Sequence, residues 1–307
     1  MRLLQELLLQ GSREEIHALD TGAPLSSFVD KYLSSSQFAK FYFRRVRLYL
    51  ESHGSPVDDE PVRLWTWIML HHKSFKQILT ADYTITPDWQ VESRPAYCGH
   101  SGVLTMQGFI DGKPGLPHFN YAAQVLEKFL GYVFVVPEAI IRMREGITAT
   151  STTTPGTVCF QCHQIITPLE FQRARFNDEG LYQPKDAQGQ LINDSDMDLV
   201  PSYPFRGEGM QAFAEGAANT ERYIRTIIQT HFVFYFGREM RCNTDERTLY
   251  HHLWNTEKSN HYDIRGLIKA IVLSKQYLNG DTQPSIPERK ASRLALVREK
   301  RGRSHVG

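Results

Sequence analysis

The chain has 307 residues, of which 41% are hydrophobic and 22% are charged, and its formal net charge is +1 at pH 7. This composition is typical of a globular protein with one large domain or two ordinary ones, and it excludes a chain that is disordered throughout. The near-zero charge argues against a protein built to bind nucleic acid or anionic membranes. No apolar run reaches the roughly 18 residues that a membrane-spanning helix needs.

Helical periodicity dominates the first half of the chain. The helices that apolar stripes predict there span 26–33, 37–50, 62–71 and 120–130. Pro61 suits the first turn of one of them and Gly131 suits the end of another, whereas 83–115 is rich in Thr, Gly and Pro and predicts irregular structure with a short strand. We therefore expect residues 1–150 to form a helical domain that docks on or covers the next one.

The first ten residues do not resemble a secretory signal. They contain one basic residue and an early Glu6, and they lack a long apolar core and a small-residue cleavage site. Their apolar stripe predicts an amphipathic helix instead. An exported precursor would accordingly begin upstream of Met1.

A second helical region follows the polar, non-periodic stretch 148–156, which predicts a domain boundary. The helices predicted beyond it span 220–236, 245–254 and 264–277, with Asn243 or Thr244 as the N-cap of the second. Pro168 is expected to limit the helix that carries His163. The predicted fold class is therefore mainly α, with a second helical domain over 151–280 and a basic tail over 281–307.

The most specific motif is Cys159-x-x-Cys162-His163. This C-x-x-C-H pattern is typical of covalent haem c attachment. On the first turn of a helix the spacing places both sulfurs along one edge of the porphyrin and the imidazole under its centre. The motif predicts one haem c, bound through thioethers at Cys159 and Cys162, with His163 as the proximal iron ligand.

Two other interpretations of the same residues stay open. A structural zinc site would need two further ligands, and Cys98, His100 or Cys242 could supply them. A thiol–disulfide site would need an apolar strand before the first cysteine, where this chain has Thr and Pro residues. If haem occupies the central cysteines, Cys98 and Cys242 are either a disulfide or two free thiols.

The sixth iron ligand is predicted less directly. Met210 lies before the helix predicted over 220–236, where a small c-type cytochrome typically carries its methionine, although Met210 could equally be a core contact. Met197, His231 and His100 are the other candidates. The residues considered as partners for a haem propionate are Arg222, Arg225, Tyr235 and Arg238. The residues expected to cover the haem ring are Phe160, Leu169, Phe171, Phe205, Ile227, Ile228 and Phe232.

Five segments in a fixed order carry a resemblance to a known group of domains. They are 101–106, 159–163 with 168–171, 176–180, 235–238 with Asp245, and 264–274. Together they resemble the cytochrome-c-like domains of planctomycete and other bacterial exported proteins, whose motifs run C-x-x-C-H, D-P-x-G-F, F-D-x-x-G, Y-A-x-G-R and L-R-x-L-I-x-x-I-x-x-S. The chain departs from them at Thr167 and Glu170 within the second motif, at Gln172, where Ala is usual, and at Asn177, where those domains have Asp.

The resemblance implies a haem domain outside the cytoplasm and leaves the substrate open. Our leading hypothesis is a monohaem c-type cytochrome that transfers single electrons to a redox protein, as a subunit or partner of an envelope or extracellular assembly. It predicts no nucleic-acid partner and no transmembrane span. The alternatives are a peroxidase-like or oxidase-like haem enzyme with an open sixth position, using His100 or His231 as an acid–base group, and a structural subunit whose haem supports folding.

Overall fold

The computed structural model describes residues 22–111, 117–134, 154–157, 159–177, 179–193 and 209–280. Within them the chain is mainly helical, as predicted, with twelve α-helices and one two-stranded sheet. No helix in these ranges is long and apolar enough to cross a membrane. The predicted N-terminal helix and the basic tail lie outside the described residues.

The helices and strands are numbered in the order in which they occur along the chain. They are α1 (Leu25–Leu33), α2 (Ser36–Leu50), α3 (Glu60–Leu70), α4 (Gln77–Thr80), β1 (Tyr83–Ile85), β2 (Val91–Ser93), α5 (Gln107–Ile110), α6 (Pro117–Leu130), α7 (Phe160–Gln172), α8 (Gly209–Ala218), α9 (Glu221–Phe236), α10 (Thr244–Ser259), α11 (Ile264–Val272) and α12 (Lys275–Leu278). The two strands are antiparallel, with Tyr83 opposite Ser93.

The described chain divides into two compact units. One contains the described parts of 1–41 and 228–307, and the other those of 42–227. The domain boundary predicted near 150 falls among residues that the structure does not describe. The helices that flank this gap, α6 and α7, pack against each other within the second unit.

The core of the second unit surrounds a buried 3-10 turn, Gly102–Thr105. Gly102 has a φ of +47°, and a Cβ there would lie 2.1 Å from the carbonyl oxygen of Ile78, so only glycine fits. Arg94 donates hydrogen bonds to the carbonyl oxygens of Gly102 and Thr105, each at 2.8 Å. One guanidinium thereby satisfies two acceptors inside the core.

The one-turn helix α5 is approached by backbone from two distant segments. A Cβ added to Gly108 would lie 2.3 Å from the carbonyl oxygen of Val57. A Cβ added to Gly180, whose φ is +74°, would lie 3.1 Å from the Cα of Gln107. Both contacts therefore depend on the missing side chain of a glycine.

In the other unit, α11 buries one apolar stripe and pairs its polar side with α1. The buried side chains of α11 are Ile264, Leu267, Ile268, Ile271 and Val272. Lys269 Nζ lies 2.6 Å from a carboxylate oxygen of Asp30, and Arg265 donates to the carbonyl oxygen of the same residue at 2.7 Å. This spacing is the amphipathic pattern that the sequence predicted.

Three predicted helix ends were wrong, and one of them belongs to the helix predicted over 245–254, which continues to Ser259. The helix that carries His163 continues through Pro168 to Gln172. A single proline removes only one helical hydrogen bond, and the ring of Pro168 is buried in the packing. The helix predicted over 264–277 is two helices. Ser274 takes an extended conformation between them, and its side chain accepts a hydrogen bond from the amide of Tyr277 at the start of α12.

Candidate functional site

The two cysteines and the histidine of the C-x-x-C-H motif lie on one turn at the start of α7. The hydroxyl of Thr157 accepts a hydrogen bond from the amide of Phe160 at 3.2 Å, which supplies a partner at the helix start. The amides of Cys162 and His163 then both donate to the carbonyl oxygen of Cys159, at 3.3 and 3.1 Å. Helix formation thus begins at the motif itself.

All three motif side chains are half-buried. Both thiols are free, and burial lowers the pKa of His163, which favours the neutral imidazole. A neutral imidazole is the form that binds iron, and free thiols are the groups that form thioethers with haem vinyls. The donor set at Cys159, Cys162 and His163 therefore fits haem c.

The part of α7 beyond the motif is anchored in the core of its unit. Leu169 and Ile166 are buried, and α6 packs along the helix. Arg173, just beyond the helix end, is fully buried. Its guanidinium carbon lies 5.3 Å from the ring centre of Tyr121, and its Nη2 donates to the carbonyl oxygen of Asn177 at 2.7 Å. A rigid attachment at one end thus holds the motif at the other.

The loop after α7 explains one departure from the resembled domains. The side chain of Asn177 accepts a hydrogen bond from the amide of Leu181 at 2.9 Å, and Gly180 turns the chain with a positive φ. An amide oxygen performs this turn-forming task as well as a carboxylate oxygen does. Asn177 and Gly180 therefore act as turn-forming residues here.

Met210, the predicted sixth ligand, lies on α8 in the same unit as the motif, and α7 and α8 are in contact. It is 6% exposed, and its sulfur lies 3.7 Å from the hydroxyl oxygen of Tyr121, which also donates to the carbonyl oxygen of Leu104 at 2.8 Å. Met210 is thus a core contact here. Iron ligation by Met210 stays a prediction and would replace the contact with Tyr121.

The other proposed axial or acid–base residues have contrasting surroundings. His231 is fully buried, with its ring centre 5.5 Å from that of Phe234. His100 is exposed, and its Nδ1 lies 3.9 Å from a carboxylate oxygen of Asp82. Met197 lies outside the described residues. His231 is therefore placed as a core histidine and His100 as a surface one.

The remaining cysteines are two free thiols. Cys98 is buried, and burial raises the pKa of its thiol, whereas Cys242 is exposed. The disulfide considered between them is not formed. Among the ranges that the structure describes, no three His, Cys, Asp or Glu side chains form a group that could hold a metal ion, so the four ligands of the zinc alternative are not assembled there.

Arg238, considered as a propionate partner, is instead part of a buried ion pair. Its guanidinium donates to both carboxylate oxygens of Glu246, at 2.6 and 3.1 Å, and it lies over the rings of Phe232 and Phe236. In the sequence analysis, the acidic residue grouped with 235–238 was Asp245, the neighbour of Glu246. Glu246 gave no signal of its own, because an acidic residue in the first turn of a helix is usually exposed.

The residues expected at the haem propionates and over the haem ring differ in their contacts and in their burial. Arg222 lies over the ring of Tyr132, with its guanidinium carbon 3.9 Å from the ring centre. The expected cover residues that are buried are Leu169, Ile227, Ile228 and Phe232, and Phe160 is half-buried. Phe205 and the side chain of Phe171 lie outside the described residues.

Comparisons with known proteins found no match to this chain among protein-family models, curated proteins or solved structures.

Proposed function

We propose that the chain is a monohaem c-type cytochrome that transfers single electrons. Cys159 and Cys162 would hold the haem through thioethers, His163 would bind the iron, and Met210 is the proposed sixth ligand. Haem c is attached on the oxidising side of a membrane, so we propose an extracytoplasmic location and a redox protein as partner.

The observation that carries this proposal is the single helical turn at the start of α7. It presents two free, half-buried thiols and a neutral imidazole together. A helix whose far end is locked by Arg173 and Tyr121 keeps these three groups in a fixed arrangement. A fixed ligand arrangement suits electron transfer, because little rearrangement then accompanies a change of charge.

The chain's own residues supply attachment, orientation and partial exclusion of water. A bound haem c would supply a one-electron iron couple. The half-buried imidazole of His163 gives the iron a nitrogen ligand from the helix itself. Half-burial of the motif leaves one side accessible, which a docking redox protein would need.

A second candidate is a haem protein with an open sixth position and peroxidase-like chemistry. The observation in its favour is the contact of the Met210 sulfur with the hydroxyl of Tyr121, which engages the predicted ligand in the core. Binding of cyanide or peroxide by the haem-loaded protein would favour this candidate. A low-spin spectrum unaffected by either would favour the electron carrier.

The test is production of the full chain, exported with a cleavable leader in a host that attaches haem c. Intact mass and a pyridine haemochrome spectrum measure covalent haem, and metal analysis measures zinc. We expect one covalent haem per chain and no stoichiometric zinc. The variants Cys159→Ser and Cys162→Ser should each lose one thioether, and the double variant should lose covalent haem altogether.

Cys242→Ser is the matched control, since Cys242 is an exposed free thiol outside the motif. It should carry as much haem as the original chain. Full covalent haem in the double variant, or stoichiometric zinc held by the unmodified chain, would contradict the proposal.

A further inference from the structure

The face of α7 that carries His163 also carries an ionisable group. His163, Thr167 and Glu170 are spaced i, i+4 and i+7, so they lie on one side of the helix. All three are half-buried. Glu170 lies about 10 Å from His163 along the helix axis.

The surroundings of Glu170 allow it to exchange a proton. Burial raises the pKa of its carboxyl, and the cation of Arg173 one turn later opposes that shift. Arg173 is fixed by Tyr121 and by the carbonyl oxygen of Asn177, so its charge cannot move away. The hydroxyl of Thr167 is shielded from solvent and has no hydrogen-bond partner among the described residues, which leaves a polar group between Glu170 and His163.

Other charges near α7 are engaged elsewhere or exposed. The helices α6 and α8 pack against it, and the charged residues among their described side chains are Glu127, Lys128 and Glu215. Glu127 is exposed, Lys128 donates to a carboxylate oxygen of Glu51 at 2.9 Å, and Glu215 accepts from the side chain of Gln211. Arg173 is therefore the charged group that acts on Glu170.

We propose that Glu170 couples proton binding to electron transfer. When a donor protein delivers one electron to the haem, the average protonation of this carboxyl rises by at most about half a proton taken from solvent, and the same amount is released when the electron leaves. Part of the added charge is thus compensated locally. The inference rests on the proposed haem function and adds a proton-coupling residue to it.

The direction follows from electrostatics. The oxidised centre carries one more positive charge than the reduced centre, so oxidation favours the carboxylate and reduction favours the protonated carboxyl. Glu170 lies about 10 Å along the helix from the imidazole that would bind the iron. Over such a distance we expect a roughly tenfold difference in the proton affinity of Glu170 between the two redox states. For a one-electron couple, a tenfold difference corresponds to a total fall in midpoint potential of about 59 mV. The fall occurs as the pH rises from the pKa of Glu170 in the oxidised protein to its pKa in the reduced protein.

The test is a redox titration of the haem-loaded full chain across a series of pH values. The original chain should show the fall, and Glu170→Gln and Glu170→Leu should show a flat line. Leu is an apolar residue that also removes the carboxyl, so it keeps the inference testable if Gln perturbs packing. Glu179→Gln, which removes an exposed carboxylate in the next loop, should keep the fall. Proton release on oxidation, followed in weakly buffered solution, should disappear with the Glu170 variants.

The outcomes separate this inference from the proposed function. If the unmodified chain carries no covalent haem, the proposed function fails, and this inference fails with it. If the haem is present and the Glu170 variants keep the slope of the original chain, the inference alone is overturned.

Discussion

The two ends of α10 bury a carboxyl group in opposite ways. Glu246 in the first turn and Glu257 in the last are each at most 1% exposed. Glu246 receives two hydrogen bonds from the guanidinium of Arg238. Neither carboxyl oxygen of Glu257 has a hydrogen-bond partner within the described ranges.

The difference shows that equal burial gives two different electrical states. A carboxylate that shares a bidentate pair with a guanidinium is stabilised as an anion. At Glu257, burial, assisted by the nearby charge of Asp263, raises the pKa to about 8. One end of the helix therefore holds a permanent ion pair, whereas the other holds a proton that pH can remove.

Breaking the ion pair should have the largest effect. Arg238→Met leaves Glu246 as a buried carboxylate without its cation, and we expect the free energy of unfolding to fall by about 3 to 5 kcal/mol. Urea unfolding followed by circular dichroism measures this loss. Arg247→Met, on the exposed side of the same helix, should change it by less than about 0.5 kcal/mol.

A double variant separates pairing from packing. Arg238→Met combined with Glu246→Leu should recover part of the loss, because no charge is left buried. If the double variant is as unstable as the sum of the two single variants, the account of the pair is wrong.

The proton at Glu257 should make stability depend on pH. An unfolded Glu loses its proton near pH 4.3, whereas the folded chain keeps it up to about pH 8. The contribution to stability is thus complete below the unfolded pKa, is lost as the pH rises and levels off above about pH 8. Between about pH 5 and about pH 8 we expect a fall of roughly 3 to 4 kcal/mol beyond that of Glu257→Gln.

Unfolding curves of both chains at each pH measure this difference. Glu239→Gln, which neutralises an exposed carboxylate of the same unit, should keep the pH dependence of the original chain. Parallel pH profiles for the original chain and Glu257→Gln would show that Glu257 does not hold the proton.

Removing the cap of α10 should have the smallest effect. The side chain of Asn243 accepts a hydrogen bond from the amide of Glu246 at 2.8 Å, so it fixes the helix start beside the ion pair. Asn243→Ala should lower the free energy of unfolding by about 1 kcal/mol. Asn243→Ser should keep most of the capping contribution, because a serine hydroxyl can accept the same hydrogen bond. Equal losses in the two variants, measured by thermal unfolding, would argue against capping.

Local pattern predicted most of the helices. The stripes at 26–33, 37–50 and 220–236 lie within helices of nearly the same bounds, because one face of each is buried. The buried turn at 102–105 was not predicted as core, since its conformation depends on Ile78 and Arg94, which are distant enough that no periodicity links them. The break at Ser274 was missed because the apolar spacing continues across it.

In the candidate site, too, local spacing predicted some features, whereas others depend on residues that are distant in the sequence. The spacing of Cys159, Cys162 and His163 is local, and the structure places them on one turn as expected. Burial of Arg173 against Tyr121 was beyond prediction, because arginine is normally exposed and its aromatic partner lies on another helix. The same applies to the contact between Tyr121 and Met210.

The double approach of backbone to α5 has a consequence for the kinetics of folding. In the sequence, Val57 precedes this helix and Gly180 follows it. The backbone of Val57 approaches the helix at Gly108, and Gly180 approaches it at Gln107, so each contact needs a glycine. Contacts between distant segments require closure of long loops, which slows folding relative to the formation of single helices. The 42–227 unit should therefore complete its core late, when the loop that follows α7 reaches α5.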